Sequence, residues 1–263
     1  MVNRKRKRQL PEWILTTTRW LLGLLIVGGF ISLSVSAFFW ARFTDHYTLK
    51  QIKITGNNYL ERDEISKWVQ IPPYARINSL NLTILRTNLE KHPYIKAARI
   101  SRDFPSTIKI DIFERKPIAY IDHTPYYLVD DEGIILPLKE GIFDFDVPTL
   151  TGFNPADELY PIGEKCLSKK VQEAVEIMAE IKNLYPKLYD NLAELKINIG
   201  DEYILCLSKK PTKIYLGSKG VLQQIRLLNC FERTIQGLRS LYDYTYVDLR
   251  YDRQIVIKER KNV

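Results

Sequence analysis

From Trp20 to Trp40 the chain reads WLLGLLIVGGFISLSVSAFFW, without a single charge. A bilayer's hydrocarbon core takes about 20 apolar residues of helix to cross, so the run predicts a transmembrane helix over residues 20–41. Trp20 and Trp40 stand at its ends, where amphipathic rings favour the interface. A small-residue pattern at Val35-Ser36-Ala37 could serve a signal peptidase, but the apolar run continues through Phe38, Phe39 and Trp40, which favours an uncleaved anchor.

After Leu49 the period changes. Leu49, Ile52 and Ile54 fall among Lys50, Gln51 and Lys53, a strand pattern that Gly56-Asn57-Asn58 closes with turn chemistry. Leu60, Ile65, Trp68 and Val69 give a helical stripe, stopped by Pro72-Pro73. Leu82, Leu85 and Leu89 mark a second helix, for which Asn78 and Ser79 are the expected caps. Strands follow over 95–102 and 107–115 around an Asp103-Phe104-Pro105 corner, with Ile108, Ile110 and Ile112 on one face. The order is strand, helix, helix, strand, strand: a small sheet that two helices cover on one face.

The remaining chain is richer in strands. Tyr126–Leu138 reads as a hairpin around Asp130-Asp131-Glu132-Gly133, with the acids as solvated turn formers. The stretch 147–155 reads as a loop. Ser168 is the expected cap of a helix carrying Val171, Ala174, Val175, Met178 and Ile181. Strands are predicted over 192–199, 203–207 and 213–216, with Leu195, Ile197 and Ile199 sharing a face. A last helix runs over 221–238, and Val221, Ile225, Leu228, Ile235 and Leu238 line one side. Val247 and Leu249 mark the next strand, and 254–258, with Ile255 and Ile257, the final one. The fold class is α+β: a basic tail 1–19, the transmembrane helix, a β-α-α-β-β domain over 48–116 and a mixed β-rich domain with two helices over 117–263.

Charge sharpens this division. The chain carries +8 in 263 residues, and +5 lies within residues 1–20, mostly in Arg4-Lys5-Arg6-Lys7-Arg8. A basic tail on a nearly balanced body is no nucleic-acid groove. Beside a membrane span it predicts a cytoplasmic N-terminus, with everything after Trp40 outside. Cys166, Cys206 and Cys230 show no paired spacing and are expected as buried free thiols.

Chemistry-bearing motifs are sparse. His46, His92 and His123 have no metal-ligand spacing, and a capping role suffices for His92 beside Pro93. No GxSxG elbow occurs, Leu216–Gly220 lacks P-loop spacing, and Asp144 and Asp146 sit in a loop-like stretch. These residues give no catalytic, metal or cofactor site, and no small-molecule substrate.

Several segments together resemble the FtsQ/DivIB cell-division proteins and their POTRA domain. They are Pro93-Tyr94-Ile95, Arg102-Asp103-Phe104-Pro105, Ile108, Ile110, Glu114, Pro117 and Ala119, then Val147–Pro155, Tyr215-Leu216-Gly217 and Val247-Asp248-Leu249-Arg250-Tyr251. Tyr94 stands where a Trp is often seen. The resemblance implies a non-enzymatic bitopic scaffold of the divisome in the cytoplasmic membrane at the division septum. It would bind FtsB/FtsL-type partners and help control septal peptidoglycan synthesis. It also implies that a partner adds a strand at the end of the second domain, making Tyr251, Asp252, Arg253, Ile255 and Ile257 the expected contacts. A POTRA chaperone of outer-membrane assembly would need repeated modules or barrel strands, which the chain does not display. An anchored cell-wall hydrolase would need a carboxylate pair or metal set in a cleft.

Overall fold

The computed structural model describes residues 12–43, 47–139 and 145–260; the basic residues Arg4–Arg8, His46 and Asp144 lie outside them. Helix α1 spans Glu12–Phe43, longer at both ends than its apolar run. Within it Thr17–Trp40 has a mean hydropathy of 2.2 and is long and apolar enough to cross a membrane. By internal contacts the described chain forms two compact units. One takes the residues through Lys53 with Pro72–Leu80 and Arg102–Ile108; the other takes Ile54–Ile71, Asn81–Ser101 and everything from Lys109 on.

The first sheet has the order β1-β3-β2, from Gln51–Thr55, Thr107–Glu114 and Ile95–Asp103. Helices α2 (Arg62–Val69) and α3 (Leu82–Glu90) lie between β1 and β2 in the chain. Ile65, Val69, Leu85, Leu89, Ile110 and Ile112 are buried, whereas Phe113 on the opposite face of β3 is exposed. The cap of α3 is Asn81, not Asn78 or Ser79: its Oδ1 accepts from the N–H groups of Thr83 and Ile84 at 3.0 and 3.3 Å. The helix begins two residues later than the polar pair suggests, so only Asn81 reaches the orphan donors of the first turn.

Two side chains singled out by resemblance have local tasks. The Glu114 carboxylate accepts from the N–H groups of Asn58, Tyr59 and Leu60, between 2.8 and 3.0 Å, and so holds the turn leading to α2. The Arg102 guanidinium donates to the Ile77 and Leu80 carbonyls at 2.9 and 2.6 Å, closing the loop before α3.

The second sheet has nine strands, in the order β12-β11-β10-β9-β8-β7-β4-β5-β6. Its strands are β4 Pro117–Ile121, β5 Tyr127–Asp130, β6 Ile135–Pro137, β7 Thr149–Thr151, β8 Leu192–Ile197, β9 Tyr203–Leu207, β10 Lys213–Gly217, β11 Tyr244–Asp248 and β12 Val256–Glu259. Helices α4 (Lys169–Leu184) and α5 (Pro186–Tyr189) connect β7 to β8, and α6 (Val221–Ile235) connects β10 to β11. Both connections join parallel neighbours and step the same way across the sheet. Right-handed crossovers then put α4 and α6 on one face. There α4 packs on β4, α6 on β10, and the two helices on each other. Alternation follows: Tyr203, Leu205 and Leu207 of β9 enter the core, while Ile204 and Cys206 turn to the other face.

Several expectations change here. The stretch 147–155 contains β7, which links β4 to β8. Three residues are too few for an alternation signal, and strand identity comes from the neighbours on both sides. Gly152 follows with φ +80°, and a Cβ there would land on the Ile197 carbonyl oxygen. Ser168 caps α4 as expected, and the apolar stripe from Val171 to Ile181 is buried. Ile199 is fully exposed because β8 ends at Ile197 and Asn198 turns the chain, its Oδ1 accepting from Gly200 and Glu202 N–H. Leu238 is exposed because α6 ends at Ile235. Among the thiols Cys166 is buried, Cys206 half-buried and Cys230 exposed, since Cys230 lies off the buried stripe of α6.

The acidic turn is not simply solvated. Asp130 is fully buried and takes the Arg115 guanidinium at 2.6 Å, with Glu132 at 2.7 Å from the same Nη1. Its Oδ1 accepts the Glu132 and Ile134 N–H groups. Arg115 follows β3 directly, so this pair ties the end of the first module to the first hairpin of the second. Tyr94 Oη adds a bond to the Pro137 carbonyl at 2.7 Å.

Candidate functional site

The two ends of the nine-stranded sheet differ. At one end β6 is accompanied by the 162–165 segment: Ile135 N–H reaches the Glu164 carbonyl and Gly163 N–H the Ile135 carbonyl, at 2.9 and 2.8 Å. At the other end β12 pairs with β11 in the register Tyr246–Lys258, Val247–Ile257 and Asp248–Val256. Among the described residues no strand lies beyond it. All four residues of β12 are exposed. A row of backbone donors and acceptors without a strand partner is a template for strand addition.

The edge strand is held at both ends. At its approach, Arg250 Nη2 meets the buried Asp248 carboxylate at 2.6 Å and Nη1 meets Glu202 at 3.1 Å. The guanidinium lies over the Tyr215 ring, 5.0 Å from its centre. The hydrogen bond from Arg250 holds the Asp248 carboxyl below the ordinary carboxylate value, and the same bond raises the Arg250 pKa. Gly217 makes room: its φ is +80°, and an added Cβ would stand 3.3 Å from Arg250 Cγ. At the far end, Arg260 N–H donates to the Asp243 carbonyl at 2.8 Å, and its guanidinium reaches the Tyr244 carbonyl at 3.2 Å. Arg239 pairs with Glu259 beside it. A strand fixed at both termini loses less entropy when a guest aligns with it.

The expected contact residues divide. Tyr251 is half-exposed; Asp252 and Arg253 form the turn before β12, their side chains almost wholly in solvent and 3.9 Å apart. Arg253 adopts φ +60°, the left-handed backbone that reverses the chain there. Ile257 is exposed on β12. Ile255 is not: the strand begins at Val256 rather than Gln254, and Ile255 packs on the core of the second module. Sequence reasoning overlooked Val256, an exposed apolar side chain on the edge. It named Arg250 only as part of the C-terminal motif, without its clamp to Glu202, and overlooked Arg260, whose partners Asp243 and Tyr244 belong to other elements.

The two described histidines are held by local partners. His92 is buried, with Nδ1 accepting the Tyr94 N–H at 3.1 Å and Nε2 on Glu64 at 3.2 Å. His123 lies against the Pro125 and Pro155 carbonyls. Among the described residues no group of three His, Cys, Asp or Glu side chains is arranged to hold a metal ion.

An apolar helix of membrane-crossing length, a small two-helix sheet module and a larger mixed sheet with an open terminal edge define a protein with a single candidate anchor and two sheet modules. Comparison with known proteins makes this specific. The POTRA domain of FtsQ type matches residues 47–115, and the FtsQ/DivIB C-terminal related family matches residues 116–257. The chain belongs to the FtsQ/DivIB family of cell-division proteins. It is 26% identical over 218 residues to cell division protein FtsQ of Geotalea daltonii, covering 82% of this chain and 77% of that one. To FtsQ of Geobacter sp. strain M21 it is 24% identical over 212 residues, covering 80% and 76%. To cell division protein DivIB of Clostridium tetani it is 27% identical over 172 residues, covering 65% and 64%.

Proposed function

We propose that this chain is a non-enzymatic scaffold of the divisome that binds FtsB/FtsL-type bitopic partners by strand addition to β12 and so helps control septal peptidoglycan synthesis. The basic tail of 1–19 lies in the cytoplasm, α1 anchors the chain, and the modules of 48–116 and 117–263 stand outside. Tyr251, Asp252, Arg253 and Ile257 contact the incoming strand, and Ile255 seats the edge from the core side. The observation that carries this reading is the single-sided pairing of β12, held by arginines at both ends. Confinement to the membrane raises the effective concentration of partners, so modest contacts suffice.

The test is capture of an FtsB-type partner by the full chain in lipid nanodiscs, compared with variants of the edge. Ile257→Asp keeps the buried core intact and is expected to lower capture with little change in melting temperature. Undiminished capture by that variant and by a chain ending at Arg250 would refute strand addition.

A further inference from the structure

One pole of the first module has a composition that strand addition does not use. Three short segments meet there, all within the compact unit that also contains α1. The Ala75 carbonyl accepts the Leu49 N–H at 2.9 Å, and the Tyr47 carbonyl accepts the Ile77 N–H at 2.8 Å. On the other side the Ser106 carbonyl accepts the Lys50 N–H at 2.9 Å, and the Tyr47 and Phe104 rings meet edge to face at 6.5 Å. The 47–50 stretch is thus flanked by the 72–77 turn and the 103–106 corner.

This pole presents large side chains outward. Tyr74 is 89% exposed and Phe104 59%, with Pro72, Pro73 and Pro105 exposed beside them. Tyr74 also holds φ +59°, a backbone state that is costly for a bulky residue. Strain spent on pushing an aromatic ring into water calls for a use. The segments carry Lys50, Lys53, Arg76 and Arg102 against the one acid Asp103.

The tether decides what this pole meets. Only residues 44–46 separate the end of α1 at Phe43 from Tyr47, a reach of about 14 Å at full extension. With α1 in a bilayer, Tyr47 and the segments bonded to it are kept at headgroup height. Tyrosine rings and the long side chains of Lys and Arg act as interfacial anchors at that depth.

We infer that the pole formed by Tyr47, the 72–76 turn and the 103–105 corner rests on the membrane that α1 crosses, with Tyr74 and Phe104 entering the interface and Lys50 and Lys53 meeting anionic phospholipid headgroups. This rests on α1 being the anchor. The seat fixes the height above the lipid of the compact unit that holds α1 and the pole.

The test places full-length Tyr74→Trp and Phe104→Trp variants in nanodiscs of phosphatidylethanolamine and phosphatidylglycerol, with or without acyl-chain bromination. The parent, with tryptophans Trp13, Trp20, Trp40 and Trp68, reports the anchor: partial quenching of its emission in brominated lipid shows α1 inserted, and no quenching would mean that the anchor reading fails. With α1 inserted, the emission added by each substitution is expected to be blue-shifted and lost in brominated lipid. A Leu238→Trp reference, whose site is 90% exposed, is expected to keep unquenched, water-like emission. Added emission from both pole variants that matches this reference would overturn the inference and leave the pole as a surface for a protein partner.

Discussion

Arg250 lies two residues beyond Asp248, yet its guanidinium folds back onto that carboxylate at 2.6 Å while its own N–H donates to the same side chain at 3.1 Å. The two residues form a closed loop at the end of β11, and Glu202, just before β9, and the Tyr215 ring of β10 complete the enclosure. The turn that launches the edge strand is therefore fastened to the sheet before any partner arrives.

Arg250→Ala is expected to destabilise the protein by about 2 kcal/mol, because it strands the buried Asp248 carboxylate without its charged donor. Chemical denaturation measures this directly. Partner capture should fall further than stability does, since the 251–253 turn loses its fixed starting point.

Proline scanning along the edge offers a sharper probe. Of the neighbours Val256 and Ile257, one turns its N–H toward β11 and the other away. Proline at the inward position is expected to lower the melting temperature. At the outward position it should leave melting nearly unchanged and reduce partner capture. Equal capture by both variants would contradict docking through the backbone.

The Arg115 contacts separate buried from exposed electrostatics. Asp130 has a fully buried side chain and Glu132 is half-exposed, although both take the same Nη1. Arg115→Ala is expected to cost roughly 3–5 kcal/mol by leaving Asp130 unpaired in the interior. Glu132→Ala should cost less than about 1 kcal/mol. Comparable losses from the two substitutions, measured by denaturant titration, would overturn this account.

His92 makes stability depend on pH. Burial lowers its pKa from 6.5, against the opposing pull of Glu64, and its Nδ1 is already committed as an acceptor for the Tyr94 N–H. The unfolded chain therefore binds a proton more readily than the folded one. Its contribution is fully present above 6.5 and is lost as pH falls through the lowered folded value. Nuclear magnetic resonance titration should place the His92 midpoint below 6.5. His92→Gln should flatten the stability curve over that window.

The cap of α3 provides a local control. Asn81→Ala is expected to lower stability by about 1 kcal/mol, and Asn78→Ala, outside the first turn, by much less. Thermal melts of the two variants distinguish them.

The hydrophobic pattern located the elements wherever the pattern was long. The anchor, the Ile108-Ile110-Ile112 strand and the Val171–Ile181 stripe needed only period and length, because a run of that kind has one low-energy way to bury itself. Resemblance carried the family, and the C-terminal pattern announced a final strand, which the structure places at Val256–Glu259. At short range the reading slipped. β7 has too few residues to show a period, Ile199 and Leu238 continue an apolar rhythm past the ends of their elements, and Ile255 belongs to the core although Val256 next to it faces water.

What the sequence determined alone was therefore periodic and local: a span of lipid-crossing length, helices and strands with one apolar face, and caps such as Ser168. Tertiary structure decided the rest. Only it showed that, among the described residues, β12 closes one end of the sheet without a neighbour, while the 162–165 segment covers the other end, and that Arg250 and Arg260 hold the edge in place. The reason is physical. A strand's free side is a property of what pairs across it, and a buried carboxylate such as Asp130 or Asp248 exists only where remote segments bring an arginine and exclude water together.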